Sequence, residues 1–93
     1  VVHGADELTW ALSLRADYII QPFIAGDIYT VDCARDVRGG MVALTRRELL
    51  RTVNGLGTTV KICPAHPLDA VCKAIMAHVG LVGAVNMEFI QSG

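Results

Sequence analysis

Asn86 and Glu88 are the residues at which the sequence first indicates chemistry. Both lie in an apolar stretch, where they alternate with Val85, Met87 and Phe89. This alternation is typical of a β-strand with the polar pair on one face and the apolar residues on the other. A carboxylate in such surroundings needs a cation, a set of hydrogen bonds or an open face, because burying an unpaired charge is costly. A hard divalent ion such as Mg²⁺ binds carboxylate oxygens, so the pair is either a cation site or the solvated side of an ordinary strand.

The glycine-rich stretch Asn54-Gly55-Leu56-Gly57 is a second candidate site. Glycine allows backbone to approach a ligand closely, and exposed backbone amides bind anions. An ordinary turn explains the same four residues equally well. Five arginines lie between Arg35 and Arg51, just before this loop. They form either a solvated rim or an anion site.

Composition restricts the class of protein. The 93 residues suffice for one small domain, yet 53% of them are hydrophobic and the mean hydropathy is +0.46. This excess predicts apolar faces that pack against further chain or a second copy, with a tightly packed α+β core as the alternative. The net charge of −1 and the lack of a polybasic run argue against nucleic acid and membrane surfaces as partners.

The cysteines indicate a reducing compartment. The three cysteines show no CxxC spacing, which argues against a disulfide framework and against a zinc site, so we expect a cytoplasmic protein. No run reaches the length of about 18 apolar residues that a membrane-spanning helix needs. The chain starts at Val1 without an initiator Met and finishes on turn-like residues. We therefore expect both ends to be cuts in a longer protein.

Apolar periodicity predicts an α+β fold, an antiparallel β-sheet with helices packed on one face. The first three strands would form an antiparallel meander, although Pro22 demotes the first of them to an edge. Residues Arg47–Val53 would form one or two helical turns. Pro67 and Gly80 would begin and end the second helix. The predicted elements are a helix Ala5–Leu14, strands Tyr18–Ile24, Ile28–Ala34, Met41–Arg46 and Thr58–Cys63, a helix Leu68–Val79 and a strand Leu81–Ile90.

The segment from Ile19 to Asp32 (IIQPFIAGDIYTVD) resembles the strand–linker–strand of ATP-grasp enzymes. The glycine-rich loop, the second helix and the stretch around Glu88 follow in that family's order. The closest resemblance is to the large subunit of carbamoyl-phosphate synthase and its single-domain relatives, and it extends from Ala16 to Ile90. It implies the C-terminal subdomain of an ATP-grasp fold. Residues 1–93 would then be a partial domain that lacks the glycine-rich lid and the last metal-binding strand.

The resemblance also implies roles for single residues, with ATP and Mg²⁺ as cofactors. Gln21, Phe23 and Ile24 would lie along the adenine. Glu88 would be the first magnesium-binding acid, with Asn86 beside it.

Further roles concern the phosphate end of the site. The Gly55-Leu56-Gly57 loop would border the place where an acyl phosphate forms. Arg46 and Arg51 are candidates for contacting phosphate or the carboxylate substrate, because they lie near that loop in sequence.

Three departures from the family pattern stand out. Ile28 occupies the position of the family's ribose-binding glutamate; Asp27 is the nearest substitute, although it points to the opposite face if the strand begins there. Pro22 stands where Glu or Lys is common. The family's second metal-binding glutamate would lie beyond Gly93, and a single carboxylate cannot hold two Mg²⁺ ions against a triphosphate.

The resemblance implies an ATP-dependent ligase that acts through an acyl phosphate. The isolated chain should show no turnover, because the rest of its own ATP-grasp domain is its natural partner, and we expect it to self-associate through its apolar faces. Two alternatives are open. One is a non-catalytic nucleotide-binding or regulatory relic of the fold, which Ile28 favours. The other is an oligomerising α+β interaction domain.

Overall fold

The computed structural model describes residues 1–93 and contains two helices and one four-stranded antiparallel sheet. The α+β class and the antiparallel sheet are thereby confirmed. The strands lie in the order β3-β2-β1-β4, so β1 and β2 are central. The elements in chain order are α1 Ala5–Leu14, β1 Asp27–Arg35, β2 Met41–Arg51, β3 Gly57–Cys63, α2 Pro67–Val79 and β4 Gly83–Gln91.

The core lies between α2 and one face of the sheet, which we call the helix face. Its fully buried apolar side chains are Val31 and Cys33 from β1 and Cys72 and Met76 from α2. Burial of these side chains is the main favourable contribution to folding that this small chain has. Around them pack six partly buried residues: Met41, Ala43, Leu68, Val85, Met87 and Phe89.

Local signals at both ends of α2 explain its boundaries. Pro67 begins the helix, and His66 caps it because its Nδ1 accepts a hydrogen bond of 3.2 Å from the Leu68 N–H. Gly80 ends it with a φ of 76°, and its N–H donates to the Met76 carbonyl at 2.9 Å. The sequence prediction for this helix is confirmed.

The prediction of a strand at Tyr18–Ile24 is wrong, and with it the meander of the first three predicted strands. This segment is irregular, and the place beside β1 is taken by β4, which pairs with it from Asp27↔Gln91 to Arg35↔Gly83. The observed meander is β1-β2-β3. Gly26 allows the chain to pass the end of β4, since a Cβ there would lie 2.1 Å from the Gln91 carbonyl oxygen.

The prediction of helical turns at Arg47–Val53 is also wrong. The strand β2 continues to Arg51 and pairs with β3 along its second half. The hairpin is closed by hydrogen bonds from Thr52 N to Leu56 O (2.8 Å) and from Gly55 N to Thr52 O (2.9 Å). Cross-strand hydrogen bonds override the local helix preference of this stretch.

Helices on one face were predicted, but only α2 contributes to the core. α1 has no buried residue, and Trp10 is 66% exposed. Neither helix combines the length and apolar composition needed to cross a membrane.

Candidate functional site

The face of the sheet opposite α2, which we call the open face, carries the candidate site. Alternation along β1 places Thr30 and Asp32 there. Thr30 is paired with Arg46 on β2 and with Glu88 on β4, and Asp32 is paired with Asn86. Side chains from three adjacent strands therefore meet. Together with two residues from the end of β2 they form what we call the polar cluster: Thr30, Asp32, Arg46, Glu48, Arg51, Asn86 and Glu88.

Asp32 organises one end of the polar cluster. Its Oδ1 accepts a hydrogen bond of 2.7 Å from Asn86 Nδ2, and its Oδ2 accepts one of 3.1 Å from Arg46 Nε. One carboxylate thereby orients an amide predicted to bind metal and a guanidinium predicted to bind phosphate. The Asp32 side chain is 53% exposed, so water screens this ion pair and its contribution to stability is small.

Glu48 lies at the other end and is the most buried charged group of the site. Its side chain is only 3% exposed. Oε1 accepts a hydrogen bond of 2.5 Å from Thr30 Oγ1, and Thr30 is itself buried. Oε2 lies 2.9 Å from Arg51 Nε but accepts no well-directed hydrogen bond. The charge on this oxygen is therefore balanced by proximity to Arg51 alone.

Arg51 joins three parts of the site. Its Nη2 lies 3.2 Å from Glu88 Oε1, and its Nε lies against Glu48. Nε also donates to the Gly55 carbonyl at 3.1 Å, and Nη2 contacts the same oxygen. One guanidinium thus connects a buried carboxylate, a half-exposed carboxylate and the glycine-rich loop.

An irregularity in β2 brings Arg51 to this face. The pairing with β3 shifts between Glu48 and Leu50 and again before Arg51. A bulge adds one residue to a strand and reverses the alternation beyond it. Arg51, rather than Leu50, therefore lies on the same face as Glu48.

The glycine-rich loop is shaped by its contact with Glu48. Gly55 has a φ of 80°, a left-handed conformation that favours glycine. A Cβ on Gly57 would lie 2.9–3.1 Å from the carboxylate atoms of Glu48, so this glycine leaves room for the buried acid. Leu56 is 68% exposed at the tip. The loop therefore lies next to the polar cluster, and Arg51 connects the two.

The residues predicted to line the adenine lie elsewhere. Gln21, Phe23 and Ile24 are in the irregular segment before β1. Gln21 and Phe23 border a depression of about 460 Å³ shared with Leu8 of α1 and with the first residues of the chain. No residue of the polar cluster borders it. The structure does not bring the predicted adenine and metal residues together.

Asp27 also lies apart from the cluster. It is the first residue of β1, and its alternation places it on the helix face with Tyr29, opposite to Glu88. It forms an ion pair of 2.8 Å with Arg47, which raises the pKa of that guanidinium above its usual value. Ile28, where the resemblance would imply a ribose-binding acid, lies on the open face and is paired with Ile90.

Sequence reasoning missed three members of the polar cluster, namely Glu48, Thr30 and Asp32. The signal for Glu48 was present, because residues two apart in a strand share a face and Arg46 was already a candidate. It was hidden by the helical interpretation of Arg47–Val53. Alternation along β1 also places Thr30 and Asp32 on one face, but nothing else in the local sequence marks them as members of a site.

The open face is apolar around the cluster. A shallow depression of about 490 Å³ lies beside Asp32 and Asn86, and the small side chains Ala34 and Ala84 line it further along the strands. Exposed aliphatic side chains surround this region: Val42, Leu44, Ile62 and Ile90.

The cluster could hold a hard cation through few protein ligands. No three His, Cys, Asp or Glu side chains converge as a complete metal site would require. Mg²⁺ commonly binds one or two carboxylates and completes its octahedron with water and phosphate oxygens. Glu88 and Glu48 are the carboxylates available for that mode of binding.

Comparisons with protein-family models, with curated proteins and with solved structures found no match.

Proposed function

We propose that this chain is part of an ATP- and Mg²⁺-dependent ligase of the ATP-grasp type, similar to carbamoyl-phosphate synthase. The observation that supports the proposal is the composition of the open face. Glu88 and Asn86, the expected metal residues, share that face with Arg46 and Arg51, the expected phosphate residues. The Gly55–Gly57 loop is attached to the same cluster through Arg51.

The proposed reaction has two steps. A substrate carboxylate oxygen attacks the γ-phosphorus of ATP, ADP leaves, and an acyl phosphate forms. An amine or similar nucleophile then attacks the acyl carbon, and inorganic phosphate leaves. Phosphoryl transfer depends mainly on positioning and charge neutralisation, which a carboxylate-bound Mg²⁺ and two arginines on one rigid sheet would supply.

The chain would provide one wall of the active-site cleft. Its sheet carries the metal acid and the arginines, whereas the expected adenine segment lies apart in this structure. We therefore expect no turnover by the isolated chain. An ATPase or ligase rate clearly above that of the Glu88→Ala variant would contradict this expectation.

Thermal unfolding tests the nucleotide site directly. Mg-ATP should raise the melting temperature of the wild-type chain, because a ligand at a hundredfold excess over its Kd stabilises the folded state by about 2.7 kcal/mol. Glu88→Ala should abolish the shift, and so should withholding Mg²⁺. Asp6→Ala removes the same charge from α1, away from the cluster, and should leave the shift unchanged. A shift that persists in Glu88→Ala would place the nucleotide elsewhere.

A second candidate function, an oligomerising interaction domain, is favoured by the apolar surroundings of the cluster. Val42 is 69% exposed and Ile90 is 49% exposed on the open face. A dimer that resists dilution, together with a melting temperature insensitive to nucleotide, would support this candidate. A monomer at high concentration in light scattering would count against it.

Nucleotide binding without turnover in the full-length protein would indicate a non-catalytic relic that retains the fold. Ile28, in place of a ribose-binding acid, favours that alternative.

A further inference from the structure

The charges around Arg51 do not balance. Two carboxylates, Glu48 and Glu88, contact one guanidinium, whereas the neighbouring Asp32 and Arg46 form a neutral pair. The carboxylate pair therefore retains one negative charge that no protein group compensates. That excess lies on a sheet face where Glu48 is almost completely buried.

The unsatisfied oxygen of Glu48 is at the centre of this imbalance. Oε1 is occupied by Thr30, but Oε2 is buried and accepts no hydrogen bond. A buried carboxylate oxygen without a hydrogen bond costs free energy, so it is a strong position for a cation to bind. Arg51 compensates this oxygen only partly, because the N–H groups of Arg51 are shared with the Gly55 carbonyl.

We propose that Arg51 is the resident counter-cation of the Glu48–Glu88 carboxylate pair and that a divalent cation displaces it. The inference rests on the proposed function for the role of Glu88 and adds two elements to it. Glu48 becomes the second carboxylate of the cation site, supplied by β2 of this chain. Arg51 becomes the group that the incoming ion releases, since one oxygen of each carboxylate faces the same guanidinium.

Displacement of Arg51 links the cation site to the loop. The guanidinium that leaves the carboxylates also leaves the Gly55 carbonyl, so the loop loses its anchor to the sheet. Arg51 is then available for a phosphate oxygen, which guanidinium binds well. Cation binding should therefore shift the amide resonances of Gly55 and Leu56, although neither residue is a ligand.

The test is a titration with MnCl₂ alone, with free Mn²⁺ counted by electron paramagnetic resonance. Arg51→Gln should bind Mn²⁺ roughly tenfold more tightly than wild type, because a competing unit charge in direct contact is removed. Arg51→Lys keeps the charge and should stay near wild type. Glu48→Gln and Glu88→Gln should both bind more weakly. Arg47→Gln removes an arginine on the helix face and should change nothing.

Several outcomes would overturn the proposal. These are equal or weaker binding by Arg51→Gln, equal tightening by Arg51→Lys, wild-type affinity in Glu48→Gln, and no binding by any variant at millimolar Mn²⁺. Arg51→Gln leaves Glu48 without a counter-charge and could unfold the chain. The double variant Glu48→Gln/Arg51→Gln avoids this problem. It should bind more tightly than Glu48→Gln alone, and equal affinity would also overturn the proposal.

Mg-ATP separates this inference from the proposed function. If Arg51 contacts phosphate, Arg51→Gln should weaken Mg-ATP binding while it tightens binding of the bare ion. Opposite signs in the two titrations support both proposals. Tighter Mn²⁺ binding without any nucleotide binding would preserve the cation exchange and reject the ligase. Nucleotide binding that depends on Glu88, without tighter Mn²⁺ binding in Arg51→Gln, would preserve the proposed ligase function and reject the cation exchange.

Discussion

The two faces of the sheet are formed by the same four strands but have opposite physical character. The helix face is covered by α2, and its central residues Val31 and Cys33 are buried among apolar side chains. The open face has a charged cluster at its centre and exposed aliphatic residues around it. We therefore expect stability to reside mainly on the helix face, whereas the proposed ligand chemistry would lie on the open face. Substitutions should therefore separate the two.

Truncation of core side chains should give the largest difference in stability between the two faces. Met76→Ala should lower the free energy of unfolding by about 2–5 kcal/mol, because it leaves a cavity in a fully buried position. Leu44→Ala, on the open face and 42% exposed, should cost about 0.5 kcal/mol. Urea denaturation with unchanged slope measures both. Equal losses would mean that the open face is covered in solution, as the interaction-domain alternative requires.

The next difference concerns buried hydrogen bonds. Thr45 is fully buried and donates from Oγ1 to Asp69 Oδ1 at 2.5 Å, which fastens α2 to β2. Asp69→Ala should cost about 1–3 kcal/mol, since the hydroxyl loses its acceptor away from water. Asp32→Ala on the open face should cost less, because Arg46 and Asn86 turn to water.

A double variant checks the cause of this second loss. Thr45→Val in the Asp69→Ala background removes the hydroxyl that has lost its acceptor. It should recover part of the stability, as expected when both partners of a hydrogen bond are replaced. No recovery would show that Asp69 acts through another contact, such as its position in the first turn of α2.

The elements that could be predicted from the sequence are those with local signals. α2 combines an apolar period with Pro67 and Gly80 at its ends, and the Asp36–Gly40 turn joins two alternating strands. The second half of β2 could not be predicted in this way. Its Glu and Leu residues favour helix, and only pairing with β3, which lies later in the chain, makes it a strand. Tyr18–Ile24 has strand-like residues but does not join the sheet, and β4 takes the place beside β1.

In the candidate site, too, features with a local sequence signal could be predicted, whereas features that depend on tertiary contacts could not. Alternation around Glu88 placed it and Asn86 on one strand face, and the structure has this arrangement. The contact between Arg51 and Glu88 joins residues 37 positions apart and depends on a bulge that no local pattern marks. Burial of Glu48 depends on Thr30 and on the absence of a side chain at Gly57. These are tertiary effects, which the order of residues does not display.

Gly57 provides a smaller perturbation, confined to the open face. Gly57→Ala should cost about 1 kcal/mol, at the low end for overpacking, because the new methyl group displaces the end of a side chain rather than backbone. Gly4→Ala meets no atom within 4 Å and should show no overpacking cost. In a Glu48→Ala background the cost of Gly57→Ala should disappear. A cost that persists there would place the strain in the loop backbone.

The smallest effect involves no change in stability, only in accessibility of the cysteines. Cys33 and Cys72 are buried on the helix face, whereas Cys63 is partly exposed at the end of β3. Burial raises the pKa of the Cys72 thiol, and Cys33 and Asp69 add to the effect, so the reactive thiolate is scarce as well as shielded. Iodoacetamide at neutral pH should label Cys63 alone in the folded chain and all three cysteines in urea. If Cys72 reacted as fast as Cys63, α2 would be leaving the sheet under native conditions. Both faces would then be open to solvent, and the division of stability and chemistry between them would fail.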